Sequence, residues 1–154
     1  MQIQAVILAA GLGTRLGKPW PKPLTPLSSG ESIMRRAVDA LRRFDSAVRV
    51  TAVVGFKLDL VIEEMPDITF VYNELYDRTN TSKSLLKALE LSFPGGVLWM
   101  NGDVVFDPRV LDIVGKHIAT DRSFAVRAIA LGANGTSVGE RDQASRCHRV
   151  RRDR

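Results

Sequence analysis

Two closely spaced glycines, an arginine just after them and a lysine clamped between prolines stand in one stretch of this chain. The stretch reads Leu8-Ala9-Ala10-Gly11-Leu12-Gly13-Thr14-Arg15-Leu16-Gly17-Lys18-Pro19-Trp20-Pro21-Lys22-Pro23-Leu24. Gly11 and Gly13 let the backbone turn sharply, so amide N–H groups can face an anion with no Cβ in the way. Arg15 offers a planar fork for phosphate oxygens. Lys22 lies between Pro21 and Pro23, which restrict where its ammonium can reach. Two cations and a ring of amides suit a polyphosphate. A plain Gly/Pro surface loop with solvated charges is the competing reading.

Two familiar phosphate loops do not fit. A Walker A loop needs Gly, four residues, then Gly-Lys-Ser/Thr. Here Gly17-Lys18 is followed by Pro19, and Leu12 stands where the first glycine belongs. The dinucleotide fingerprint needs a third glycine where Leu16 stands.

The elements that must position this loop can be read from periodicity. Residues 3–10 form a short apolar run that suits a buried parallel strand. Residues 11–30 are rich in Gly and Pro and read as a long loop. From Glu31 to Phe44, Ile33, Met34, Ala37, Val38 and Leu41 recur at helical spacing, with Arg35, Arg36, Arg42 and Arg43 outside. Strands are expected at 48–54, 68–72 and 97–100. Helices are expected near 57–64, over Ser82–Leu91 with Leu85, Leu86 and Leu89 on one face, and from Asp107-Pro108 onward. Asp107 is expected to cap that last helix.

The alternation of strand and helix predicts an α/β domain, Rossmann-like, with three αβα layers and a mostly parallel sheet. In such sheets a ligand lies beyond the carboxyl ends of the strands. The Gly-rich loop, Gly55 and Asp103 all fall at those ends.

Length and composition narrow the classes further. The chain has 154 residues, 45% of them hydrophobic, enough for one packed domain. No apolar run approaches the roughly 20 residues that span a bilayer. The N-terminus has no basic signal-peptide region, so a cytoplasmic location is expected. Cys147 is the sole cysteine, which excludes an internal disulfide and a thiolate metal cluster.

The net charge is +5. Residues 1–120 carry only +1 of it, and residues 121–154 carry +4, from eight Arg and four acids. The excess sits in a segment without aromatic residues among its arginines, so neither a nucleic acid nor a membrane is expected as partner. The domain is expected to span 1–122. Residues 123–154 read as an irregular Arg-rich tail, either disordered or translated out of frame, with 125–131 as a possible fifth strand.

The string Leu8-Ala9-Ala10-Gly11-x-Gly13-Thr14-Arg15-Leu16, followed by Pro21-Lys22-Pro23-Leu24, resembles the signature of the nucleotidyltransferase superfamily. That group includes sugar-1-phosphate nucleotidylyltransferases and bacterial phosphocholine cytidylyltransferases. The resemblance covers residues 1 to about 120. It extends to Val53-Val54-Gly55-Phe56, Tyr72-Asn73, Thr79-Asn80-Thr81-Ser82 and Asn101-Gly102-Asp103. The compact spacer between Arg15 and Lys22 is closer to the cytidylyltransferases than to the sugar group.

The resemblance implies transfer of a nucleoside monophosphate to phosphocholine or a sugar 1-phosphate, with release of pyrophosphate. CTP is the preferred triphosphate. It implies Ala9, Ala10, Gly11, Leu12, Gly13 and Thr14 as the triphosphate cradle, Arg15 on the leaving phosphates and Lys22 on the α-phosphate or the acceptor. It implies Asp103 as ligand of Mg²⁺, which prefers hard oxygen donors. Asn80 and Ser82 are implied at the base or acceptor, although capping explains Ser82 equally well. Asn73 is a weaker candidate of the same kind. Trp20, Tyr72 and Tyr76 are candidates for a choline cage. Family members are longer, so a truncated chain with impaired turnover is expected.

Overall fold

A computed structural model describes residues 3–11, 20–78 and 80–118. The chain divides into two compact units, Met1–Val105 and Phe106–Arg154. The first holds β1 (Gln4–Ala9), α1 (Ile33–Phe44), β2 (Arg49–Val54), α2 (Leu58–Glu64), β3 (Thr69–Tyr72), α3 (Thr81–Glu90) and β4 (Val97–Asn101). The second holds α4 (Arg109–Ile118). There the Asp107 carboxylate accepts the Arg109 amide at 3.0 Å, as a cap should. The expected fifth strand at 125–131 and the tail lie outside the described residues.

The four strands form one sheet in the order β3-β2-β1-β4, and every pairing is parallel. The α/β expectation therefore holds, and periodicity located each element to within a residue or two. What periodicity did not contain is the order. The chain adds β2 and β3 on one side of β1, then returns to place β4 on the other. The gap between β1 and β4 is thus where the winding reverses, the place at which open α/β sheets bind ligands.

Burial follows from this order. Every residue of β1 is buried, with a paired strand on each edge and α3 packed against it. On one face Val6, Leu8, Val53 and Val71 pack with Ala88 and Leu85 of α3. α1 buries Met34, Ala37, Val38, Ala40 and Leu41, with Ser32 as its cap accepting the Arg35 amide at 3.1 Å. Ser32 also donates to Glu64 at the end of α2, at 3.2 Å. Arg35 and Arg42 of α1 pair with Asp67, in the turn after α2. The Arg42 hydrogen bond, the largest cause, holds the Asp67 carboxyl below the usual aspartate range.

Two features of burial differ from what apolar pattern alone suggests. The first concerns β4, whose apolar run suits a buried strand. Among the described residues it pairs with β1 alone, and Trp99 is 51% exposed. The second concerns α3. Its buried side chains are Ser84 and Ala88, whereas Leu86 and Leu89 are exposed. Small residues face the sheet here because the helix lies close against β1 and β2. The leucines instead line, with Trp99, an apolar depression beside β4. No helix of the described residues is long and apolar enough to cross a membrane.

Candidate active site at the sheet switch point

The cleft opens at the carboxyl ends of β1 and β4. Register brings those ends level: Leu8 faces Asn101 across the sheet, and Ala9 faces Val54. Leu8, Ala9, Ala10 and Gly11 form the floor. The Gly102 amide donates to the Leu8 carbonyl at 2.9 Å, so the turn past β4 is tied directly to β1. A Cβ on Gly102 would stand 3.0 Å from Pro23 and 3.2 Å from the Leu8 carbonyl oxygen. This close approach places Asn101 and Asp103 in the cleft beside Lys22 and Pro23.

Lys22 sits in a short 3-10 turn, Lys22–Leu24, whose backbone closes through Leu24 to Pro21 and Thr25 to Lys22 hydrogen bonds, each 3.0 Å. Pro21 and Pro23 are buried, so the turn is anchored by its prolines while the lysine between them remains half-exposed. Its ammonium lies 3.8 Å from the Asp103 carboxylate. Two residues read separately from sequence, 81 positions apart, are therefore one ion pair at the mouth of the phosphate loop. An exposed pair at this distance holds little energy of its own. Both groups can exchange partners for a phosphate or a cation.

The opposite wall comes from the β3–α3 connection. The Asn73 amide continues the ladder to the Val54 carbonyl at 2.8 Å, and its side chain is fully buried. Its Oδ1 accepts the Leu75 amide at 3.2 Å and its Nδ2 donates to Ser84 Oγ at 2.9 Å. Tyr76 then packs over Gly55. A Cβ on Gly55 would lie 2.5 Å from Tyr76 Cβ and 2.8 Å from the Ala10 carbonyl oxygen. Gly55 thus earns its place by close approach, which seats Tyr76 in the cleft with Asn80, Thr81 and Ser84.

Asn80 and Ser82 part company. α3 begins one residue earlier than its apolar pattern suggests, at Thr81, so Asn80 is the cap and accepts the Lys83 amide at 3.1 Å. Ser82 is neither cap nor cleft residue; it borders the apolar depression. Each position along a helix turns a side chain by about 100°, so two positions carry Ser82 to the side opposite the face that Asn80 and Ser84 share. Trp20 and Tyr72 are exposed at 56% and 50% and do not line the cleft. Leu12, Gly13, Thr14 and Arg15, expected to complete the cradle, lie outside the described residues, as does Thr79.

Sequence reasoning missed Ser84 and Asn101. The signal for Ser84 was present: it stands four residues after Asn80, hence on the same helical face. Among the described residues no group of three or more His, Cys, Asp or Glu gathers. Asp103 is the sole carboxylate among the described residues that line the cleft. That donor set fits Mg²⁺ carried by a triphosphate, since this ion binds through one or two carboxylates plus substrate phosphates and keeps several waters.

Comparison with known proteins agrees with this geometry. The profile of the MobA-like NTP transferase domain matches residues 5–146, a span that runs beyond the motifs and into the Arg-rich segment. The CMP-5'-(3-aminopropyl)phosphonate synthase of Streptomyces rubellomurinus is 37% identical over 119 residues, covering 71% of this chain and 18% of that protein. A nucleotidyl transferase from Methanothermobacter thermautotroptrophicus superposes with a TM-score of 0.64 at 28% identity, covering 75% of this chain and 57% of its own. Rv0371c of Mycobacterium tuberculosis H37Rv, in its complex with manganese, gives 0.59 at 26% identity, covering 77% and 61%. The chain spans about a fifth of the length of the curated relatives it matches.

Proposed function

The chain belongs to the MobA-like NTP transferase family, and on that premise we propose that it binds a nucleoside triphosphate in this cleft and transfers its monophosphate to a phosphorylated acceptor. The observation that carries the reading is the Lys22–Asp103 pair, held beside Gly11 at the sheet's switch point. A cation and a carboxylate side by side are what a metal-bearing polyphosphate needs: one to meet its oxygens, the other to hold its ion.

The steps follow from charge. The amides of Ala10 to Thr14 cradle the triphosphate, and Arg15 neutralises the β- and γ-phosphates. Lys22 meets the α-phosphate or the acceptor phosphate. An acceptor phosphate oxygen attacks the α-phosphorus, the bond from that phosphorus to the bridging oxygen of the β-phosphate breaks, and pyrophosphate leaves. The nucleophile is already anionic, so no protein base is needed; positioning and charge neutralisation suffice. Asp103 would hold Mg²⁺, which would supply further charge neutralisation at the phosphates, and the manganese complex of the Mycobacterium relative supports a divalent cation here.

CTP is the proposed triphosphate. The compact Arg15–Lys22 spacer supports it, as does a relative whose name specifies a CMP product. Phosphocholine or a sugar 1-phosphate is the proposed acceptor, from the motif resemblance. Domain boundaries at 122/123 and a cytoplasmic location belong to the same proposal.

Calorimetric titration with CTP, UTP, ATP and GTP plus MgCl₂ tests the site. Binding of one triphosphate should weaken in both Arg15→Ala and Asp103→Ala. If no triphosphate binds a chain that circular dichroism shows to be folded, the proposal is wrong. One observation favours a second reading, a nucleotide-binding module without turnover: Asp103 is the sole carboxylate among the described lining residues. Binding without pyrophosphate release on adding phosphocholine or sugar phosphates would select it.

A further inference from the structure

Among the described residues β4 ends the sheet with an open edge, and its register fixes which backbone groups stand there. Gly96 accepts from the Gln4 amide at 3.4 Å, and Gly102 donates to the Leu8 carbonyl at 2.9 Å. Successive residues of a strand turn their N–H and C=O to alternate edges, so Leu98 and Met100 also face β1. Val97, Trp99 and Asn101 therefore turn theirs outward. A row of outward backbone groups is a template for another strand.

The surface beside that edge is apolar and uncharged. Ser82, Leu86 and Leu89 follow one another at helical spacing along α3 and, with Leu85 and Trp99, line the depression next to β4. Leu86 and Trp99 are exposed. Monomeric proteins commonly guard a sheet edge with charge. The opposite edge obeys this rule: β3 is only 4 residues long and starts beside Asp67 with its partners Arg35 and Arg42. The sequence of β4, Val97-Leu98-Trp99-Met100-Asn101, contains no such guard.

We propose that the β4 edge and the α3 stripe form an interface between two copies of this chain, joined antiparallel about a two-fold axis at Trp99. Two features select a second copy over other partners. The outward-facing residues are symmetric about Trp99. Val97 thus meets the second copy's Asn101, Trp99 meets its own counterpart, and each pair exchanges both backbone hydrogen bonds. Charge selects the same occupant. The chain carries +5, yet this neutral patch lets two copies meet without like charges in contact, and it offers a charged partner no counter-ion. With the axis perpendicular to the sheet, both α3 helices lie on one side, so the two apolar stripes face each other. A contact of one strand and one stripe is small for a specific interface, which points to micromolar dissociation. This inference stands independently of the nucleotide reading.

Sedimentation velocity of the full chain across the micromolar range tests it. The native chain should pass reversibly from 17.0 kDa to twice that mass as concentration rises. Leu86→Lys and Trp99→Lys bring like charges together at the axis, and each should raise the dissociation constant at least tenfold, roughly 1.4 kcal/mol. Leu86 is an exposed helical position where lysine keeps helix propensity, so circular dichroism of that variant should match the native chain. Tyr72→Lys, on β3, should leave the dimer intact. In hydrogen exchange, the Val97, Trp99 and Asn101 amides should gain protection only as the dimer forms. A chain that stays monomeric throughout overturns the proposal, as does a dimer that survives both Leu86→Lys and Trp99→Lys. Dissociation by Tyr72→Lys alone would move the interface to β3 and refute it. Protection of those amides in the monomer would put a segment of the same chain on the edge, and refutes it equally.

Discussion

Gly55 and Gly11 stand at the ends of adjacent strands, yet an alanine should be felt very differently at the two positions. At Gly55 the added Cβ would lie 2.5 and 2.6 Å from Tyr76 Cβ and Cγ and 2.8 Å from the Ala10 carbonyl oxygen. None of these is the loose end of a flexible side chain, so the β3–α3 connection or the end of β1 must move. Overpacking of this kind costs roughly 1–3 kcal/mol. At Gly11 an added Cβ has nothing within 4 Å, and neither glycine has a positive φ. Alanine there removes unfolded-state freedom and should leave stability unchanged or raise it by about 0.4–1 kcal/mol. Urea unfolding measures both. With a slope near 1–3 kcal/mol per molar, Gly55→Ala should lower the midpoint by roughly 1 M, and Gly11→Ala should not lower it. Triphosphate binding should fall in both variants: in Gly55→Ala because Tyr76 and Ala10 line the cleft, in Gly11→Ala because a methyl group bars the phosphates from the backbone. An unchanged midpoint in Gly55→Ala, or an equal drop in Gly11→Ala, would refute the reasoning.

Three further outcomes are expected. Lys22→Ala and Asp103→Asn should each shift stability by less than about 1 kcal/mol, since the pair is partly exposed, while reducing metal-dependent triphosphate binding at least tenfold; thermal melts and calorimetry separate the two effects. Asn80→Ala should cost about 0.5–2 kcal/mol through loss of the α3 cap, and Asn80→Asp should restore that stability in urea melts because aspartate caps equally well. Asp67 has a depressed folded pKa, so the stability it contributes is present above the aspartate pKa of the unfolded chain and is lost as pH falls through the folded value. Acid unfolding of Asp67→Asn should therefore show a shallower loss over that window than the native chain, with a small amplitude because the carboxylate is substantially exposed.

The Gly-rich string, the proline-clamped Lys22 and the alternation of strands and helices were all legible in the sequence, because each depends on residue type at short range. Glycine permits a turn wherever it stands, proline restricts its neighbours, and apolar periods of two and 3.6 report local geometry. Asn80 as cap and the exposed Leu86 were not legible, and Ser84 was legible only through its spacing from Asn80. A helical face becomes a buried face only when something covers it, and α3 meets the sheet through Ser84 and Ala88 rather than through its leucines. The strand order belongs to the same category. Sequence alone determined that Asp103 follows a strand and that Lys22 follows the loop. Only the tertiary structure, by returning β4 to the far side of β1, placed that carboxylate 3.8 Å from that ammonium. The physical reason is that pairing between distant strands is chosen by the packing of the whole sheet, which no local run of residues encodes.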